Sequence, residues 1–309
     1  MARPASAVTD AAVPPPPGAP RRRFGALDAA ILTAVALCVG FLVWRADSVV
    51  QYRWNWAPVW EFVVRYDAAA EAWKPNLILI GLWTTIRISI WAAIGAAIIG
   101  VAMGLARVSN SLLLRLIAGA YVELVRNMPP LVFVFVVYFF LTAQIAPALG
   151  VEAAVRAASP GTLAAIETLI GPPRLLPALL SAILCLALFE GAYVAEIVRA
   201  GVQSVERGQW DAARALGLSR TRTLRLVVLP QAIQRTLPPL AGQFISLVKD
   251  SSIVSLISVQ DLAFLGNEVA ATTTRLFETW IVVAGLYFLL CWTLSRLFAR
   301  FEARMGRHR

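Results

Sequence analysis

Charged side chains inside apolar runs are the first candidates for chemistry in this sequence. Lys249 and Asp250 interrupt the apolar run 236–257, and Glu190 interrupts the run 176–198, with Tyr193 one helical turn further along. A charge near the centre of a bilayer costs roughly 2.5–3.5 kcal/mol on insertion scales, so each such group either serves function or is paired structurally. Glu190, Tyr193, Lys249 and Asp250 are therefore the candidates to border a path at mid-membrane, while Lys249 and Asp250 equally allow pairing between helices. Glu196 and Arg199, three residues apart, read as a local salt bridge.

Other chemistry has little to work with. Cys38, Cys185 and Cys291 stand singly in separate apolar stretches, and His308 is the single histidine, which disfavours a disulfide framework, a metal site and a His-based triad. An intramembrane enzyme would find few groups beyond Glu190, Lys249 and Asp250. The two lysines, Lys74 and Lys249, do not end a G-x-x-x-x-G-K phosphate loop. No catalytic residue, metal ligand or cofactor site is expected.

The elements that hold these groups follow from hydropathy. Of 309 residues, 59% are hydrophobic, and the mean hydropathy is +0.71, too apolar for one water-soluble core. The fold class is an all-α, polytopic transmembrane protein. Six candidate spans are expected at 26–44, 77–105, 117–145, 176–198, 236–257 and 279–299, each near the ~20 residues needed to cross a bilayer. The formal net charge of +10 need not mean nucleic acid, because basic residues gather in cytoplasmic loops. Arg21–Arg23, Arg107 and Arg115, the arginines of 199–235, and Arg300–Arg309 form that inner set and place both termini inside.

The flanks carry less information. Residues 1–25, with a proline run at Pro14–Pro17, read as an extended tail, and 306–309 as a short tail. The run 26–44 is long for a signal peptide and lacks a following A-x-A site, so it reads as a retained extra helix. The loop 45–76 holds Trp54, Trp56, Trp60 and Trp73, an aromatic belt at the headgroups. The segment 147–173, broken by Pro160-Gly161 and Gly171-Pro172-Pro173, reads as short surface helices. Gly100 and Gly104 form a GxxxG that suits close helix packing, within the chain or between chains.

The loop 199–235 has its own pattern. Asp211–Leu216 is a short helix by propensity, with Gly217 just past its end; Ser219–Leu229 is a second, with Ser219 as N-cap, stopping before Pro230. Trp210, Ala213 and Leu216 or Gly217 would share one face with a large aromatic anchor. An amphipathic loop resting on anionic lipid is the plainer alternative.

This loop resembles the hallmark of the membrane subunits of ATP-binding-cassette importers, E-A-A, three residues, G, nine residues, I, one residue, L-P. Asp211-Ala212-Ala213, Gly217, Val227 and Leu229-Pro230 match its spacing, with Asp for Glu and Val for Ile. The stretches Gly191–Gly201, Gln243–Ser251 and Tyr121–Pro129 resemble the polar amino-acid permeases (His/Glu/Gln/Arg/opine type), although Asn127-Met128-Pro129-Pro130 departs from their usual Gly-Thr-Pro-Leu. The likeness covers about 77–305 and implies a type I (MetI-like) permease core in a bacterial inner membrane. It implies that Trp210, Asp211, Ala212, Ala213, Gly217, Leu229 and Pro230 form a coupling element docking on a separate ATPase, which uses the ATP and Mg. It further implies a second permease chain, identical or paralogous, and a periplasmic amino-acid-binding protein. A zwitterionic substrate would then find both signs of charge among Glu190, Lys249 and Asp250. A secondary transporter or channel is the alternative, but it has no use for a docking loop.

Overall fold

A computed structural model describes residues 25–306, apart from 51, 143, 145–147 and 149. Except for Gly25 and Gly306, the tails expected at 1–25 and 306–309 lie outside the described residues. The chain divides into two units, one up to Trp54 and one from Asn55 onward. In the first unit, α1 (Ala26–Val50) extends the expected first span, and its apolar part, Ala26–Phe41, is by itself shorter than a crossing.

The second unit opens with α2 (Ala57–Val63) and an antiparallel hairpin, β1 (Val64–Asp67) with β2 (Ala72–Pro75), in register Val64↔Pro75 to Asp67↔Ala72. This small sheet is an addition to the all-α expectation. Its pairing is local: Tyr66 and Trp73 meet edge to face, and the Lys74 ammonium lies 2.5 Å from Asp67, holding that carboxyl below the usual carboxylate range. Trp54, Trp60 and Trp73 are more than half exposed, as a headgroup belt requires.

The core is built on α3 (Leu77–Arg107) and α8 (Leu176–Gln203). Their seam is lined by small residues. A methyl group on Gly104 would lie 2.7 Å from Val198 Cβ, and one on Gly100 would collide with Val194. The GxxxG is thus spent on packing within the chain. Against this pair lie α4 (Leu112–Arg126) and α5 (Pro130–Val136), the latter continuing as a π-helix over Val137–Thr142. Phe133, Val134, Cys185, Leu186 and Phe189 interlock there, so Cys185 is a packing residue. The expected span 117–145 is not one helix but two, α4 and α5, bent by 116°. The break falls at Met128-Pro129, where proline removes a donor and bars helical geometry in the residue before it.

The segment 147–173 forms short α6 (Val151–Ala157) and α7 (Pro160–Leu169), as expected, and a 3₁₀ turn at Pro173–Leu175 then leads into α8. Trp91 of α3 donates to the Leu169 carbonyl at 3.0 Å, pinning α7 to the bundle. After α8 come α9 (Arg207–Ala215), α10 (Arg220–Thr223), a π-helical turn (Leu224–Val228) and α11 (Leu229–Asp250) with a 3₁₀ extension, Ser251–Ile257. Then α12 (Leu262–Thr273) and α13 (Leu276–Gly306) complete the unit. Asp261 caps α12, accepting from the Phe264 N–H at 2.8 Å and from Tyr287 at 3.2 Å. Among the described residues, four helical stretches are long and apolar enough to cross a membrane, and the bent α4–α5 pair can make a fifth.

Candidate coupling loop and mid-bundle polar cluster

The loop after α8 folds as a helical knob. Its first helix, α9, starts at Arg207, four residues before the expected start at Asp211, because Glu206, with ψ 139°, is the non-helical cap and Arg207 to Ala215 are helical. Gly217 has φ +74°, a left-handed conformation in which a side chain is strained. Its N–H bonds the Arg214 carbonyl at 2.9 Å, and the Leu218 N–H reaches back to Ala213 at 3.1 Å. That pair of bonds is a Schellman stop, satisfying carbonyls which a helix end would otherwise leave open.

The faces of α9 differ from the expectation. Ala213 is buried, and Trp210 packs inward on the cluster of Val202, Val205, Val228 and Ala232. Trp210 therefore anchors the knob to the bundle rather than heading its outer face. The outward surface is carried by Ala212, Ala215 and Leu216, the last 81% exposed, while Asp211 stands exposed at the edge beside Trp210 and Arg214.

The second helix is corrected as well. Ser219 takes the N-cap position, without a side-chain bond, but the chain does not stop before Pro230. The π-helical turn shifts the hydrogen-bond register just ahead of the proline, and this local change of register accommodates Pro230, which has no N–H to donate. The Gln231 side chain donates to the Val227 carbonyl at 3.0 Å across this junction. Leu229 is half-buried beside Trp210 and Val228, while Pro230 is exposed. Helix therefore runs from Arg220 to Ile257 without interruption. Two arginines fasten the knob to helix ends: Arg220 donates to the Val108 carbonyl past α3 at 3.0 Å, and Arg235 donates to the Ser204 carbonyl past α8.

Deep in the bundle the structure gathers three of the four charged or polar candidates. Glu190 is fully buried, and its Oε2 accepts from the Gln243 amide at 2.6 Å, while Oε1 has no protein donor. The Asp250 carboxyl comes alongside Glu190, making an acidic spot where α8 meets α11. Tyr193 follows one turn along α8, its ring tilted against Phe189 at 5.4 Å between centroids and covered by the Arg126 guanidinium at 5.4 Å. Lys249 is not brought into this cluster: it is exposed and directed toward the Cys291 side of α13.

One further turn along α8, Glu196 makes the expected bond to Arg199, with Nε at 3.0 Å, and also meets Arg107 at 2.5 Å and Arg126 at 3.9 Å. A cavity of about 380 Å³ opens here, lined by Arg107, Glu123, Arg126, Asn127, Tyr193 and Glu196. Three arginines from three helices thus converge on one carboxylate. Sequence reasoning missed Arg126 and Gln243, although both lie in stretches singled out for other residues.

Comparison with known proteins fits this geometry. The family model described as the binding-protein-dependent transport system inner membrane component matches residues 96–307. The chain is 33% identical, over 71% of its length and 89% of the relative's, to the probable glutamine ABC transporter permease protein GlnM of Bacillus subtilis (strain 168). It is 30% identical, over 82% of its length and 98% of the relative's, to the glutamine transport system permease protein GlnP of Escherichia coli (strain K12). A crystal structure of an amino acid ABC transporter with histidines superposes with a TM-score of 0.60 at 32% identity, covering 74% of this chain and 94% of that one.

Proposed function

This chain belongs to the family of binding-protein-dependent transport system inner membrane components, the permease subunits of ATP-binding-cassette importers, and from that premise we propose its substrate, partners and mechanism. The substrate is a polar L-amino acid, supported by the glutamine permeases among its relatives. The membrane is a bacterial inner membrane, with the basic ends of the helices in the cytoplasm. The partners are two ATPase subunits, which bind and hydrolyse ATP with Mg, a second permease chain, identical or paralogous, and a periplasmic amino-acid-binding protein.

The observation that carries this reading is the knob α9, held by Trp210 on its inner side and offering Ala212, Ala215 and Leu216 outward, with Asp211 at the edge. An ATPase groove closing on ATP would draw this knob with it. Because α10, the π-helical turn and α11 are continuous, the pull is delivered to Asp250 and its contact with Glu190. The substrate ammonium suits the Glu190–Asp250 acids, and its carboxylate suits the arginine-rich cavity beside Tyr193. Lys249, exposed at mid-span, needs water or a partner chain to cover it, which fits a path between two permeases.

Purification of the chain from its native membrane tests the assembly, and uptake of labelled glutamine, histidine and arginine into proteoliposomes tests the substrate. An ATPase that co-purifies and ATP-dependent uptake are expected. Recovery of the chain alone, with uptake that persists without ATP, would replace this reading with a secondary transporter or channel.

A further inference from the structure

A cavity of about 1170 Å³ lies beneath α9, between the knob and the turn joining α3 to α4. Five arginines line it, Arg107, Arg115, Arg207, Arg214 and Arg220, against a single acid, Asp211. Arg107 is paired with Glu196 and Arg214 faces Asp211 at 3.7 Å. Five arginines less these two acids leave three positive charges, and no carboxylate among the described residues lies within 4.0 Å of Arg115, Arg207 or Arg220. Ser109 and Asn110 add hydroxyl and amide groups to the same wall. Such a surplus at one concave place is an anion site looking for an occupant, because like charges repel unless an anion sits among them.

What adjoins the cavity selects the kind of anion. Immediately after Asn110, α4 turns out Leu112, Leu113, Leu116 and Ile117, exposed by 61%, 66%, 60% and 54%, and Arg115 stands among them. A cationic hollow bordered by an exposed apolar helix face matches a molecule with an anionic head and hydrocarbon tails. The same apolar face belongs to the membrane-crossing α4–α5 pair, so a head group held in the cavity has the bilayer beside it for its tails, which free phosphate would not use.

We propose that this cavity binds the head group of an anionic phospholipid, with its acyl chains along the outer face of α4. The head group would then lie against Trp210 and brace the inner side of the knob.

Native mass spectrometry of the complete complex, purified with its ATPase and loaded with equal amounts of phosphatidylglycerol and phosphatidylcholine, tests this. Wild type should retain phosphatidylglycerol preferentially. The double variant Arg115→Glu, Arg207→Glu should lose that retention by roughly tenfold or more, the scale expected when two basic side chains near a membrane surface change sign. Arg300→Glu with Arg304→Glu, on the far end of α13, should retain it. Equal retention in the cavity variant, equal loss in the α13 variant, or no preference in wild type would overturn the proposal, as would displacement of the lipid by millimolar inorganic phosphate. If the double variant fails to assemble, Arg115→Gln alone serves, because it leaves α9 untouched and should still weaken retention.

Discussion

At the scale of single residues, the acids of the bundle are the most exposed to test. Glu190 is buried with one oxygen on Gln243 and the other without a protein donor, and a buried carboxylate so placed is costly unless it serves something. Glu190→Gln preserves the shape and the neighbours, so the complex should assemble, yet binding-protein-dependent uptake should fall by at least about tenfold, the effect of losing one interaction worth ~1.4 kcal/mol. Wild-type uptake in that variant would remove Glu190 from the path. Lys249→Met asks a different question: because Lys249 stands apart from Glu190, uptake should suffer while the Glu190–Asp250 contact persists, and unchanged uptake at normal membrane levels would make the lysine irrelevant to transport. Glu190 and Asp250 could be found in the sequence because a charge in an apolar run stands out. Gln243 and Arg126 could not, since an amide is unremarkable in a helix and Arg126 fell inside what read as one straight span until the bend at Pro129 placed it at a helix end.

Among the helices, the α3–α8 seam and the knob make opposite demands on glycine. At the seam the constraint is space: Gly104→Leu should overpack the contact with Val198 and Ala195, costing about 1–3 kcal/mol and lowering the thermal midpoint of the purified complex. At Gly217 the surroundings are open, and the constraint is the left-handed backbone. Gly217→Val should therefore leave the bundle's stability nearly unchanged, while disturbing the stop of α9 by about 1–2 kcal/mol. Its signature is uncoupling, with ATP hydrolysis continuing as uptake falls; normal uptake would show that the shape of this turn is immaterial. The spacing of Asp211, Gly217 and Pro230 made the knob legible before any coordinates, but its polarity was not. Helical periodicity shows that Trp210 and Ala213 share a face and is silent on whether that face looks in or out. The π-helical turn ahead of Pro230 also escaped, because propensity reads proline as a stop and has no term for a register shift.

For the whole molecule, the outward face of α9 should decide whether the importer assembles at all. Leu216→Glu places a charge on the tip without touching the inner anchor Trp210, so the chain should insert normally while its ATPase no longer co-purifies. Undiminished recovery of the ATPase would move the docking surface elsewhere. Four of the six expected crossings, 77–105, 176–198, 236–257 and 279–299, could be placed from hydropathy alone because lipid imposes a length on them; the apolar part of α1 falls short of that length, and the bent α4–α5 pair needed the structure, since its residues are as apolar as those of a straight span. The uninterrupted helix from the knob to Asp250 has a mechanical consequence. Leu229–Asp250 is 22 residues, a rod of about 33 Å at ~1.5 Å per residue, so tilting it by about 10° sweeps its far end through about 6 Å. Pro238 and Pro239, inside that rod, are its natural elastic joint. Stiffening the joint would turn a whip into a crank, trading a cushioned stroke for one that moves both ends in strict step.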